Sequence, residues 1–398
     1  MTRRLIDWDY RAPAIYQITI VAADRAASPF GSLKFGARSD QSDATIELSP
    51  LGIAVADCWE SIPRYYSGIK IIGKQVMPDH FHGILWVKEP LSVHLGQVIK
   101  GFKTGCNKAA RALGVLNSTT LSPSTVRESL APSTGHESLS PSTRRLTTGG
   151  VFAEGFQDSI LFGEGQLKKM INYLADNPRR LALKRLAPDL FTVANRVALP
   201  LVWSESRVCR GWFTTIGNRF LLERPLYQVQ VSRRFFRYQR QAKTGGGLKI
   251  ARDAAGVPLV DFATKEFDER RAEAFAAAEH GAVLLSPCVS DGEREIARLA
   301  HEAKLALVTM ANKGFAELQK PSGRLFDACS EGRLLMLAPA AWPYQTNEKP
   351  MTRDDATAMN RLCQALAREG AAEINYHGMT PTDVDAMAWE AAEMEEVK

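Results

Sequence analysis

Apolar and polar positions in the first third of the chain alternate between two periods. YQITIVAA, Tyr16 to Ala23, is dense in β-branched residues and predicts a strand. In Leu51 to Tyr66 the apolar residues Leu51, Val55, Cys58 and Trp59 share one face at helical spacing. IKIIGKQVM (Ile69 to Met77) and HFHGILWV (His80 to Val87) predict two strands, with Pro78-Asp79 between them as a tight turn. LGQVIKGFKTGCNKAARAL, Leu95 to Leu113, predicts an amphipathic basic helix. DSILF (Asp158 to Phe162) predicts a short strand, and GQLKKMINYLADNPRRLAL a helix interrupted at Pro178.

This β-α-β-β-α-β order with a further helix is that of a ferredoxin-like split βαβ sheet, an α+β arrangement with its helices on one face. We expect it to occupy residues 1–195. One stretch inside it has no face to bury. Asn117 to Gly150 is rich in Ser, Thr, Pro and Gly and contains LSPST, LAPST and LSPST at a spacing of about nine residues. That is too short for a solenoid unit, so the expectation is a disordered insert over about 115–150. Beyond Leu199 the pattern changes. Residues 196–250 read as a basic and aromatic connecting segment. Over 251–398, continuous apolar runs (AVLLSP, LALVTM, RLLMLAP) alternate with helical ones, which predicts a Rossmann-like α/β domain on a parallel sheet.

Composition changes this picture little. The 398 residues are 45% hydrophobic and 24% charged, ordinary for a globular protein. A net charge of +6 permits a polyanionic partner without requiring one. The opening MTRRLIDWDYRAP lacks the apolar stretch of a signal peptide, and no apolar run is long enough to cross a bilayer. The six cysteines are scattered without a C-x-x-C pair, as expected of free thiols in the cytoplasm.

The chemistry concentrates in two places. Residues i and i+2 of a strand share a face, so His80 and His82 project together while Phe81 points into the other layer. Two imidazoles so placed can share one divalent metal ion, and the pair read alone fits two half-buried structural histidines equally well. On the later helix Tyr173 and Asn177 are spaced i, i+4. A tyrosine hydroxyl with an ordinary pKa of about 10 needs activation to act as a nucleophile. Asn177 supplies an oxygen for a metal shell. The alternatives are packing of Tyr173 beside Met170, Ile171 and Leu174, and a helix stop at Asn177-Pro178.

MPDHFHGILW resembles the His-hydrophobe-His motif of the single-tyrosine HUH transposases, INYLADNPRR resembles their tyrosine helix, and GFQDSILF the short strand before it. Within that superfamily the REP-associated tyrosine transposases fit best, over roughly Tyr16 to Arg185 without the insert. The resemblance implies a metal-dependent single-stranded DNA endonuclease and strand transferase acting near hairpins through a 5′-phosphotyrosine link. It matches His80, His82 and Asn177 to the metal ligands and Tyr173 to the nucleophile, with Mg²⁺ or Mn²⁺ as the ion. Asp79 stands where relatives often have Asn, and reads as a turn residue or one behind the ligands. The long insert departs from the compact family pattern and leaves open whether Tyr173 acts in its own chain or in a partner of a homodimer.

Cations flank both elements: Lys100, Lys103, Lys108 and Arg111 on the helix after the histidines, and Lys168, Lys169, Arg179, Arg180, Lys184 and Arg185 around the tyrosine. They can hold phosphates or form a solvated basic face. In SRRFFRYQRQAK, Arg233, Arg234, Arg237 and Arg240 interleave with Phe235, Phe236 and Tyr238, a pattern suited to single strands or to internal packing. AVLLSPCVSDGEREI puts a Ser/Gly turn between strand and helix. It has neither G-x-G-x-x-G nor a Walker lysine. The run from Ala282 to Pro339 is similar, loosely, to the Rossmann-like fold of DprA. The expected partner is single-stranded or hairpin DNA, with no membrane, for a monomer or homodimer. The competing readings are a domesticated, non-catalytic hairpin DNA or RNA binder and a metal phosphoesterase that forms no tyrosine adduct.

Overall fold

The computed structural model describes residues 8–36, 40–116, 149–163, 165–204, 207–242, 248–253, 256–345, 350–368 and 380–396. The chain divides into two compact units, Met1–Arg185 and Leu186–Lys398, and is a mixture of helices and several sheets.

The first unit holds β1 (Ala14–Val21), β2 (Gly31–Lys34), β3 (Thr45–Leu48), α1 (Pro50–Glu60), α2 (Ile62–Tyr65), β4 (Ile69–Met77), β5 (His80–Val87), α3 (Leu95–Ala112), β6 (Gln157–Ile160) and α4 (Gln166–Leu186). The sheet runs β4-β5-β1-β6 with every neighbour antiparallel. β2 and β3 form a separate hairpin that the sequence reading missed. Ser49 caps α1, its Oγ accepting from the Gly52 N–H at 3.0 Å, with Pro50 placed where its missing N–H costs nothing. His94 caps α3 by accepting from the Gly96 N–H at 2.9 Å. β4 and β5 meet at the predicted Pro78-Asp79 turn.

One face of the sheet is the core. Phe81, Leu85 and Val87 of β5 and Ile18 and Ile20 of β1 pack with Leu51, Val55 and Trp59 of α1 and with Val98, Ile99 and Phe102 of α3. His80 and His82, on alternate residues, belong to the opposite face. Leu116 is still in this core, and the predicted Ser/Pro/Thr insert falls on 117–148, outside the described residues.

The predicted break at Pro178 does not occur: α4 runs through it. Proline withholds one helical N–H and costs about 3 kcal/mol in a helix interior. Pro178 is buried beside Leu174 and Asn177, i+4 and i+1 from them, so packing of that side offsets the loss. Asn177 is therefore mid-helix and not a stop.

The second unit contains β7 (Ala194–Ser204), β8 (Arg207–Gly217), β9 (Leu226–Gln228), the two-stranded pairs of β10 (Arg237–Tyr238) with β13 (Val260–Asp261) and β11 (Arg240–Ala242) with β12 (Leu248–Ile250), α5 (Lys265–Glu279), β14 (Val283–Ser286), α6 (Asp291–Glu302), β15 (Leu307–Met310), α7 (Arg324–Ser330), β16 (Leu334–Pro339), α8 (Arg353–Ala367), α9 (Pro381–Ala391) and β17 (Glu395–Glu396). Its main sheet runs β17-β8-β16-β15-β14-β9, with β7 also on β8.

Only β9, β14, β15 and β16 are parallel; β8 is antiparallel to β16, β7 and β17, so the sheet is mixed where a parallel one was expected. The difference is visible in burial. β14, β15 and β16 are near-continuously buried, whereas β7 and β8 alternate buried and open positions, the antiparallel signature. Residues 196–250, read as a connecting segment, include β7, β8 and β9 of this sheet. No helix among the described residues is long and apolar enough to cross a membrane, and all six cysteines are free thiols.

Candidate active site

β5 carries the histidine pair on the face away from α1 and α3. The ring centroids lie 4.7 Å apart with the planes nearly perpendicular. Each Nδ1 is engaged by an oxygen behind it. His80 Nδ1 lies 2.6 Å from Asp79 Oδ1, and a carboxylate only accepts, so that nitrogen holds a proton and Nε2 is the nitrogen left to face a ligand. Asp79 is in turn gripped through Oδ2 by Arg25, at 2.8 Å from Nε and 2.6 Å from a terminal nitrogen. Burial would raise the Asp79 carboxyl, but the His80 and Arg25 hydrogen bonds outweigh it and hold it well below the usual carboxylate range.

His82 is 6% exposed. Its Nδ1 lies 2.9 Å from Thr19 Oγ1, and Gln17 Nε2 donates to that same oxygen at 2.8 Å. Burial, with His80 beside it, pushes His82 down to about 3 despite Asp79. The ring is thus neutral at neutral pH, the form in which imidazole ligates metal. Backing each imidazole with an oxygen fixes its orientation, which is how metal-binding histidines are commonly held.

α4 brings the other half. The Tyr173 ring centroid is 6.0 Å from that of His82, edge to face, in the same chain, and Tyr173 is 40% exposed. One turn on, Asn177 is 7% exposed and its buried Nδ2 has no hydrogen-bond partner. Rotating the amide by half a turn would put Oδ1 in that position, so this orphaned atom fits an oxygen ligand to a cation. Among the described residues no three His, Cys, Asp or Glu side chains converge on a metal position. A third protein ligand would then be an oxygen of another kind, and the Asn177 amide offers one. The Arg180 guanidinium is buried 5.7 Å from the centre of the Tyr173 ring and 3.8 Å from Asp176.

The cations read from sequence fall in different places. α3 lies on the core face of the sheet, so Lys100, Lys103, Lys108 and Arg111 are not brought to the histidines. Lys103 is half-buried, and its ammonium donates to the carbonyls of Ala153 (2.7 Å) and Gly155. Lys168 and Lys169 are exposed on the first turns of α4; Arg179 pairs with Asp176. In the second unit Arg233, Arg234, Arg237 and Arg240 are exposed, whereas Phe236 is buried against Phe262 and the Tyr238 hydroxyl donates to Asp291. The aromatic half of that segment is therefore largely committed to packing.

Arg25, Gln17 and Thr19 were missed by the sequence reading. Gln17 and Thr19 had a signal: they are polar at alternate positions of an otherwise apolar strand. Arg25 had none.

No known protein family's profile matches this chain. A stretch of 128 residues is 28% identical to an uncharacterized protein of Haemophilus influenzae, covering 27% of this chain and 66% of that protein's length, just under two thirds. The crystal structure of a "putative transposase" from Deinococcus radiodurans aligns with 44% of this chain and 97% of its own, at 10% identity and a TM-score of 0.23, a similarity too small to assign a fold or a site.

Proposed function

We propose that the first unit is a ferredoxin-like HUH domain of the REP-associated type. On this reading it cuts and rejoins single-stranded, hairpin-flanked DNA through Tyr173, with Mg²⁺ or Mn²⁺ held by His80, His82 and Asn177. The observation that carries this reading is the pair of imidazoles with the Tyr173 ring beside His82 in one chain; the orphaned amide of Asn177, one helical turn on, is assigned to the same shell by its spacing. The strand order β4-β5-β1-β6 supports it, since it is the order a split βαβ unit takes when its first and third strands pair centrally.

In the reaction, the Tyr173 oxygen attacks a backbone phosphorus, the P–O3′ bond breaks, and the tyrosine's proton is balanced on the leaving 3′-oxygen as a free hydroxyl. Rejoining is the reverse, with another strand's 3′-OH. A divalent ion held by His80, His82 and Asn177 would supply Lewis acidity to the phosphate. Asp79 and Thr19 keep the imidazoles oriented. Arg180, permanently charged, stabilises negative charge developing near the tyrosine oxygen. Exposed Lys168 and Lys169, with Arg179, and in the second unit Arg233, Arg234 and Arg237, offer phosphate contacts.

The test is a labelled single-stranded hairpin incubated with Mg²⁺ or Mn²⁺ and then denatured. We expect a covalent 5′-linked adduct that Tyr173→Phe abolishes. Cleavage that survives Tyr173→Phe without an adduct would make the protein a phosphoesterase. Binding without cleavage in either protein would make it a binder only.

A further inference from the structure

The histidine-bearing face of the sheet continues past the site. β5 presents His80, His82, Ile84 and Trp86 to that side. Exposure along this row changes abruptly: His82 is 6% exposed, Ile84 0% and Trp86 40%. The cover over the histidines therefore ends before Trp86, about 13 Å along the strand from His82 at ~3.3 Å per residue.

Across the sheet, Trp86 stands opposite exposed Lys70 on β4 and partly buried Ile15 on β1. Beyond Ile15, the Leu161 N–H donates to the Ile15 carbonyl at 2.9 Å, so the row Lys70, Trp86, Ile15, Leu161 crosses the sheet. α4 starts at Gln166, just after this end of β6, so the exposed Lys168 and Lys169 begin at the same end. None of these three lysines has an acidic residue placed against it among the described ion pairs. The surface thus combines an open indole, an apolar shelf and three cations.

We propose that this row is the platform on which the single strand lies as it leaves the site, with Trp86 stacking one unpaired base a few nucleotides from the phosphate at Tyr173. The inference rests on the reading of the first unit as acting on single-stranded DNA, and it adds a positioning residue to that reading. Charge decides the occupant. An indole beside an apolar shelf alone would suit a protein partner. Three cations at its rim, none of them in an ion pair among the described residues, favour a polyanion whose bases have π-faces to offer. Stacking accepts any base, so Trp86 would fix where the strand lies and not which sequence is cut.

The test compares a fluorescein-labelled oligothymidylate with an abasic strand of equal length, by anisotropy. Wild type should prefer the strand that carries bases. Trp86→Ala should lose that preference, weakening oligothymidylate binding about tenfold while leaving the abasic strand unchanged. Trp86→Phe, which keeps a ring, should retain most of it, and guards against a folding defect in the alanine variant. With 5-iodouracil in the strand, photocrosslinks on the wild-type protein should map to the peptide carrying Trp86.

Equal loss on both probes, no loss, or a change only in sedimentation, which would mark the face as a contact between copies of this chain, would each overturn the proposal. Its failure is separable from that of the tyrosine chemistry. Tyr173→Phe abolishes the adduct but should leave the base preference intact, so either result can stand without the other.

Discussion

Gly83 sits between His82 and Ile84 on the core face of β5, and a side chain there has nowhere to go. A Cβ built on Gly83 would lie 2.3 Å from Trp59 Cζ2, 2.5 Å from Cε2 and 2.8 Å from Cη2. Carbon atoms in contact prefer about 3.5–4.0 Å, so the indole would have to retreat by more than about 1 Å. Trp59 is fully buried between Phe81 (centroids 4.9 Å) and Phe102 (5.3 Å), and has no free space to retreat into. Gly to Ala in a strand ordinarily gains about 0.5–1 kcal/mol from backbone entropy. Overpacking costs about 1–3 kcal/mol and more when backbone must move, so the sign is destabilising. We expect Gly83→Ala to lower the opening free energy of β5 and α1 amides by about 1–3 kcal/mol in hydrogen exchange on the full chain. Trp59→Phe shortens the ring and removes an indole N–H that is buried without a partner. It should be destabilising alone, yet less than additive with Gly83→Ala, with a coupling of about 1 kcal/mol or more. Strict additivity, or a silent Gly83→Ala, would show that the indole does not set the position of this strand.

Three further outcomes follow from the structure. Removing an oxygen behind either imidazole, by Asp79→Ala or Thr19→Val, should weaken Mn²⁺ binding about 10–100-fold by calorimetry while leaving the circular dichroism spectrum unchanged. Lys103→Met should cost about 1–3 kcal/mol in the unfolding free energy from urea titration, since two carbonyls lose a charged donor, and should leave oligonucleotide affinity at its wild-type value. Burial raises Glu293 to about 7 against its backbone N–H partners, so the folded chain keeps a proton that the unfolded chain releases near 4.5. Stability of the second unit should therefore be greatest below about pH 4.5 as far as this group decides, fall by about 3 kcal/mol as pH rises to about 7, and then level off. Glu293→Gln should flatten that dependence in denaturant titrations; an unchanged slope would assign it to other groups.

What the sequence reveals depends on the range of the interaction. Strands, helices and the Pro78-Asp79 turn are local, and the paired histidines follow from a two-residue period. The Asp79–Arg25 grip spans 54 positions, and no pattern along the chain marks it. Lys103 reads as a surface cation because its helix is amphipathic; that its ammonium meets Ala153 and Gly155 depends on a turn 50 residues away. Pro178 reads as a helix break because the rule for proline is local, whereas the packing of Leu174, Asn177 and Pro178 that overrides it is not.

β4 shows how narrow the margin is. Regular alternation from Ile69 to Met77 would keep Ile69, Ile71, Gly73 and Gln75 on one face. The register shifts between Ile71 and Gly73, so Ile69 and Ile71 oppose Val87 and Leu85 on the core side, while Val76 opposes Phe81 there and Gln75 opposes His82 on the other. That bulge reverses the parity of the strand within one residue. Without it, Gln75 would share the core with Trp59 and Phe102, and Val76 would stand beside the imidazoles. A strand pattern can thus name the residues of a site while the side they face is decided by a bulge. Deleting Ile72, the one residue in excess of the β5 ladder, should leave a regular strand with Gln75 still opposite His82 and Val76 still opposite Phe81, so the protection of β4 and β5 amides should survive the deletion. Loss of that protection would show that the extra residue does more than set the parity of this face.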